Sequence, residues 1–311
     1  MTPAAADDAG AVRWLAGPSP AQRRLLRRIQ TAALEATRLL ESSREHWHIT
    51  PAGLAPQAWF VEFSRITERV RDLVALARDA GLPRPWIDHV RTKGERGIAW
   101  HPPRRWPDPG PTDRRALITA LAADAQRIRE LAVTYAAYRD HAAHDPATAT
   151  RIRTTLARSR DRLAGVAALA EVLGGERDRV WTTGDTTWVY RLAAELGSDD
   201  IETLAARYRA AATPTDDATD RQVRLLDELD LLTDTDTVWI PQPAALVDTA
   251  VTALRSLHQP TEHLADPAPG ARIDAAITHA VGHTDPTTDH TAAPAPAPAA
   301  PATDSDAAPD P

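Results

Sequence analysis

The chain has 311 residues, no cysteine and a formal net charge of −7. The lack of cysteine excludes disulfides, thiolate nucleophiles and cysteine-ligated metal sites. No stretch approaches the ~18 consecutive apolar residues that a membrane span needs. The N-terminus also lacks the basic-then-apolar pattern of a secretory signal. We therefore expect a cytoplasmic protein that makes no membrane contact.

Charge is divided unevenly along the chain. Residues 1–106 hold 17 Arg and Lys against 11 Asp and Glu, whereas residues 107–311 hold 19 against 32. A basic first third joined to an acidic remainder indicates an anionic partner for the first part. Surface charge can also differ between parts of a chain for no functional reason. This alternative explains the same division equally well and stays open.

Two long helices are predicted after a polar N-terminus, residues 1–18, that we expect to be disordered. The first helix begins at Ser19, because Ser19 and Gln22 have the spacing of a capping box. The second follows the connection 50–53, which contains Pro and Gly. Apolar residues recur every three or four positions in both, which favours an antiparallel hairpin with coiled-coil-like seams. The stripes are Leu25, Ile29, Ala32, Ala36 and Leu39, then Trp59, Phe63, Ile66, Val70, Leu73 and Ala77.

A second hairpin of the same design is predicted for residues 111–175. Thr112 is expected to cap its first helix, and Asp145 with Pro146 to open its second helix. We expect that second helix to stop at Gly174 and Gly175. The stripes are Leu117, Leu121, Ala125, Ile128, Leu131, Tyr135 and Tyr138, then Ile152, Leu156, Leu163, Val166, Ala170 and Leu173.

The last part of the chain has shorter patterns. Helices are predicted at about 187–196, 199–211 with Ser198 as cap, 219–232 and 243–257, with a β-like run at Thr237–Ile240. From residue 259 on, Pro, Ala, Thr and Asp dominate, so we expect disorder. The predicted fold is all-α: helical hairpins at 19–110 and 111–175, a small helical module at 176–258 and a disordered tail at 259–311.

Residues 73–92 have the pattern of two helices joined by a tight turn. Gly81 supplies the turn, and apolar residues lie on either side of it where crossing helices would bury them. This segment resembles the generic helix-turn-helix of bacterial regulators. The resemblance implies that Pro83–Val90 is a recognition helix that enters a DNA groove. Pro83, Pro85 and Asp88 depart from the usual pattern, since Asp88 brings a negative charge to the DNA-facing side.

The resemblance assigns roles to the basic residues of this region. Arg84 is the candidate for a base edge, because a guanidinium pairs bidentately with guanine, and His89 lies on the same predicted face. Gly94, Gly97 and the residues behind them are expected to form a small wing. The candidate phosphate contacts are Arg91, Lys93, Arg96, Arg104 and Arg105.

Other chemistry has little support in the sequence. Neither a phosphate-binding loop nor a nucleophile elbow occurs, so we expect no catalytic activity. Nothing fixes the convergence of three or four histidine or carboxylate ligands, so we expect neither metal nor cofactor. Trp59 and Trp86 are expected to fill the core, and Trp100 and Trp106 to be exposed.

Two functional hypotheses remain. The leading one is a non-enzymatic DNA-binding or regulatory protein that contacts double-stranded DNA through residues 84–105. The alternative is a helical scaffold that binds another protein through its hairpins and makes no nucleic-acid contact. Self-association is compatible with both hypotheses.

Overall fold

The structure, a computed structural model, describes residues 17–47, 57–139, 145–182, 184–197, 199–212, 217–232 and 239–258. These ranges form ten helices and no strand, so the fold is all-α. The helices are α1 (Pro20–Trp47), α2 (Gln57–Asp79), α3 (Arg84–Glu95), α4 (Arg114–Tyr138), α5 (Pro146–Leu169), α6 (Gly175–Val180), α7 (Thr187–Gly197), α8 (Ile201–Ala211), α9 (Asp217–Glu228) and α10 (Pro243–His258). The tail at 259–311, nearly all of the polar N-terminus and the first half of the β-like run, 237–238, lie outside the described residues. The other half, Trp239 and Ile240, forms a turn and not a strand, so the predicted β-like run is corrected there.

Helices α1 and α2 form the first antiparallel hairpin. The capping box is confirmed: the Ser19 amide donates to Gln22 Oε1 (3.0 Å) and the Gln22 amide donates to Ser19 Oγ (3.3 Å). The Gln22 side-chain amide also donates to the carbonyl of Leu169 (2.8 Å), which ties α1 to the end of α5. Trp59, early in α2, donates its indole N–H to the carbonyl of Leu39, late in α1 (3.3 Å), so the helices run in opposite directions.

Helices α4 and α5 form the second antiparallel hairpin. Arg114 opens α4 and donates to the carbonyl of Ala170, just past the end of α5 (2.7 Å). The cap of α4 is Asp113, whose carboxylate accepts from the Ala116 amide (2.8 Å), so the expected cap Thr112 was wrong by one residue. Asp145 caps α5 as predicted, accepting from the Thr148 amide (3.0 Å).

Helix α5 ends earlier than the glycine pair suggested. It stops at Leu169, and Glu171 takes the left-handed conformation with φ of 51°. The amides of Glu171 and Val172 donate to the carbonyls of Ala168 and Ala167, which is the Schellman pattern that glycine usually supplies. The predicted stop at Gly174 is therefore corrected: Gly174 instead precedes the short helix α6.

The later helices surround the second hairpin. Helices α7, α8 and α10 pack on α4, and α9 packs on α5 and α2. Asp200 caps α8 by accepting from the Thr203 amide (2.8 Å), which corrects the assignment to Ser198, and these hydrogen bonds lower the pKa of the Asp200 carboxyl. Tyr208 of α8 packs against Tyr138 of α4 with ring centroids 4.1 Å apart and ring planes tilted by 37°.

One apolar core joins all of these helices. It runs from Leu25 of α1 through Leu121 of α4 to Ala253 of α10, so the two hairpins share it. A second, smaller cluster around Tyr135, Ile152 and Tyr208 lies between α4, α5 and α8. All described residues belong to one compact unit, Met1–Gln259. None of the described helices combines the length and apolar composition that crossing a bilayer requires.

Arg162 of α5 connects several helices through hydrogen bonds and ion pairs. Its guanidinium donates to Asp79 of α2 (2.8 Å), Asp124 of α4 (2.7 Å) and Gln222 of α9 (2.6 Å). The Arg162 side chain is 21% exposed, so these charge-assisted bonds are only partly screened by solvent. This network links the first hairpin to the rest of the bundle.

Candidate nucleic-acid interface

The predicted turn between two helices lies at the end of α2. Gly81 has φ of 70°, and the amides of Gly81 and Leu82 donate to the carbonyls of Arg78 and Ala77 (2.8 and 2.9 Å). These bonds close α2, as glycine in the left-handed region commonly does. Pro83 then precedes α3, whose first-turn amides have no partner within the helix in any case. The chain therefore turns sharply between two ordered helices at the predicted place.

Packing against α1 fixes which side of α3 faces outward. Trp86, Ile87 and Val90 are at most 1% exposed, which confirms the prediction that Trp86 fills the core. The same prediction for Trp59 is wrong, because Trp59 is only partly buried and lies outside the core. Helix α3 continues to Glu95, five residues beyond its predicted end, because Gly94 lies against the backbone of α1. A Cβ at Gly94 would lie 2.7 Å from Ala33 Cβ, so only glycine allows this close approach.

On the outward side of α3, arginine and carboxylate side chains of the helix pair with one another. Arg84 pairs with Asp88 (3.3 Å), and Arg91 pairs with Asp88 (3.7 Å) and Glu95 (3.6 Å). All four side chains are at least 41% exposed, so each pair is worth at most about 1 kcal/mol. Two predicted contact residues, Arg84 and Arg91, therefore lie on the surface but are held by carboxylates that sequence reasoning had not paired with them.

His89 and Lys93 are less available for contact with DNA than Arg84 and Arg91. The His89 ring meets Trp106 edge-on, with centroids 6.4 Å apart, and its buried Nε2 has no hydrogen-bond partner among the described residues. Burial, followed by the positive charge of Lys93, lowers the pKa of His89, so the imidazole is neutral near pH 7. Lys93 is partly buried. His89 therefore adds no positive charge to the outer surface.

The segment after α3, residues 96–113, is irregular and contains no strand, so the expected wing is wrong. The segment is nevertheless anchored at several points. Gln30 donates to the carbonyl of Ile98 (2.9 Å), and the Trp86 indole donates to the carbonyl of Pro107 (2.8 Å). Trp100 and Trp106 are partly buried and pack on the core, contrary to the expected exposure, because the chain folds back over α1 and α3.

Arg96, Arg104 and Arg105 are exposed on this anchored segment. No carboxylate among the described residues forms an ion pair with any of the three. Residues 96–106 contain no Asp or Glu. This part of the predicted site is therefore a basic surface with a fixed backbone.

A shallow cleft of about 350 Å³ lies beside the start of α3. Proline and leucine side chains contribute much of its wall, and Arg84 is also among the lining residues. Arg114, also at the cleft, is held by Glu176 (2.6 Å) and by backbone carbonyls. The lining includes Leu82, Pro83, Pro85, Pro109, Pro111 and Leu117.

Sequence reasoning missed a group of arginines on α1. Arg23, Arg24, Arg27 and Arg28 are all exposed, whereas Leu25 and Leu26 between them are fully buried. The signal was present as two arginine pairs four residues apart, since that spacing places side chains on one side of a helix. We call these four residues the arginine face of α1.

Nothing in the described ranges indicates a metal centre, since no three His, Asp or Glu side chains converge there. Comparison of the chain with protein-family models, with curated proteins and with solved structures finds no match. The geometry of the basic surface is therefore what supports a functional proposal.

Proposed function

We propose that this protein binds double-stranded DNA through the basic segment 84–105 and acts without catalysis as a DNA-binding or regulatory protein. The observation that carries the proposal is that Arg96, Arg104 and Arg105 are exposed along the segment after α3, where no carboxylate of the described residues forms an ion pair with them. A protein that neutralises phosphates with such side chains gains affinity by releasing counterions.

The ion pairs on α3 are compatible with this proposal. Arg84 and Arg91 each form pairs that are weak and exposed, so a phosphate can replace the carboxylate at little free-energy cost.

Asp88 opposes DNA binding under this proposal, because it places a negative charge on the same side of the helix. Asp88→Asn should strengthen duplex binding by up to about fivefold, as expected for one unfavourable charge in water.

The direct test measures binding of a labelled random-sequence duplex to the full chain by fluorescence anisotropy. The variant replaces Arg96, Arg104 and Arg105 by Gln. Loss of three phosphate contacts makes the log–log salt slope shallower by about 2.7. The matched control, with the same change in net charge, replaces exposed arginines of the acidic half: Arg179, Arg224 and Arg255. Equal binding by the two variants would refute the assignment of this segment.

The scaffold alternative rests on a different observation. Near the start of α2, Trp59 stacks on Phe63 with centroids 5.0 Å apart, while Phe60 and Val61 are 53% and 62% exposed. Exposed apolar side chains of this kind contribute to protein-protein contacts. Phe60→Ser should leave duplex binding unchanged under the DNA proposal, whereas under the scaffold alternative it weakens capture of a protein partner.

A further inference from the structure

The arginine face of α1 is held rigidly. Leu25 and Leu26 are fully buried, and Gln22 is fixed both by its capping box and by its bond to the carbonyl of Leu169. The helix therefore cannot rotate its arginines away from solvent. Among the described residues, no carboxylate forms an ion pair with Arg23, Arg24, Arg27 or Arg28.

This face lies next to the basic segment that follows α3. The segment follows α1 from its middle back toward its start: Thr37 donates to the carbonyl of Glu95 (3.3 Å) and Gln30 to that of Ile98 (2.9 Å). A Cβ at Gly17, just before α1, would lie 3.3 Å from Trp106. At about 100° per residue, Arg23 and Arg27 lie within about 60° of Gln30 around the helix axis, whereas Arg24 and Arg28 lie about 120° and about 160° from it. Arg23 and Arg27 therefore border the basic segment, and Arg24 and Arg28 continue the positive surface around α1.

We propose that the arginine face of α1 binds the phosphates of one strand of duplex DNA and extends the interface formed by residues 84–105. This inference rests on the proposed function and names a second, independent set of contacts for it. Residues 23–28 span about 7.5 Å of helix, and the phosphates of one strand recur every 3.4 Å along the duplex axis, so about two phosphates fall within reach.

The surroundings of the face favour a duplex over other anionic polymers and surfaces. A single strand is usually held by exposed aromatic rings that stack on its bases. Here Trp86 is fully buried and Trp106 is partly buried against the core, so neither presents a fully exposed ring for stacking. A lipid surface is usually bound by a helix with exposed apolar residues. The apolar residues of this part of α1, Leu25, Leu26 and Ile29, are fully buried.

The test replaces Arg24, Arg27 and Arg28 by Gln in the full chain. Arg23 is kept, because its Nε donates to the carbonyl of Pro18 next to the helix cap (2.9 Å). Loss of about two phosphate contacts should make the salt slope shallower by about 1.8 and weaken binding at about 50 mM salt by about tenfold or more. The Arg179, Arg224 and Arg255 variant is again the charge-matched control. Circular dichroism and the unfolding midpoint should match those of the unchanged chain.

The outcomes separate this inference from the proposal on which it rests. If the unchanged chain binds the duplex and the α1 variant binds it equally well, the inference is overturned and the proposed function stands. No duplex binding by the unchanged chain at low salt would overturn both. Stronger binding to a single strand, or to vesicles rich in anionic lipid, than to the duplex would overturn the choice of duplex DNA.

Discussion

Replacing Gly94 by alanine should separate α3 from α1. The added Cβ would lie 2.7 Å from Ala33 Cβ and 3.0 Å from the Leu34 amide nitrogen, and it would also meet the carbonyl oxygen of Gln30. Apolar carbon atoms prefer about 3.5–4.0 Å, so α3 must move by about 1 Å. The obstructing atoms belong to the backbone and Cβ of α1, so no side-chain rotation relieves the contact.

The magnitude follows from two opposing effects. Overpacking of a well-packed core costs up to about 3 kcal/mol, and the upper end applies because Trp86, Ile87 and Val90 hold α3 in place. Alanine within a helix gains about 1 kcal/mol over glycine. We expect a net loss of about 2 kcal/mol in the free energy of unfolding for Gly94→Ala.

Urea unfolding followed by circular dichroism measures this loss. Gly175→Ala is the matched control, since no atom lies within 4 Å of a Cβ at Gly175, in the short helix α6. The control should be neutral or slightly stabilising, because alanine favours the helix. A Gly94→Ala variant that is as stable as the control would refute the close packing of α3 on α1.

Three further predictions concern the bundle. Arg162→Ala should cost about 2 kcal/mol in urea unfolding, because it removes three charge-assisted bonds between helices. Asp79 keeps its bond from Gln222, and Asp124 keeps its pair with Arg127, so neither carboxylate is left without a partner. Arg158→Ala, which breaks one exposed pair with Asp220, should cost less than about 1 kcal/mol; equal losses would contradict the network. The lowered pKa of Asp200 means that its cap stabilises the fold above the unfolded pKa and is lost as pH falls through the folded pKa. Between about pH 5 and 3, Asp200→Asn, which caps without titrating, should therefore lose less stability than the unchanged chain, and parallel losses would argue against the cap. Burial raises the pKa of Tyr208 to about 12, and its hydroxyl has no hydrogen-bond partner among the described residues. Tyr208→Phe should then be neutral or stabilising by up to about 1 kcal/mol, and a clear loss of stability would reveal a bond that the hydroxyl makes.

Local signals in the sequence predicted most of the helices. The capping box at Ser19, the cap at Asp145 and the periodic apolar stripes depend on residues close together in the chain, so they can be read without tertiary information. The turn at Gly81 was predictable for the same reason, since glycine readily adopts a positive φ.

The features that the sequence did not reveal depend on tertiary packing. Gly94 looks like a helix breaker, yet it lies within α3 because it allows close contact with α1. Glu171 carries no sequence signal for the left-handed conformation in which it ends α5. The pairing of Arg91 with Glu95 depends on the extra turn of α3 and was not foreseeable from a helix ending at Val90. The pairing of Arg84 with Asp88, four residues apart within the predicted helix, could have been predicted from the sequence.

The central claim is that this chain binds duplex DNA through phosphate contacts. The most direct measurement is the affinity of the full chain for a labelled random-sequence duplex at about 50 and 200 mM salt. The full chain is needed because the core of the first hairpin continues into α4 and α5. We predict that affinity falls by at least about 40-fold over this range, as expected for three or more phosphate contacts. Absence of binding at the lower salt concentration, or binding that is indifferent to salt, would contradict the claim.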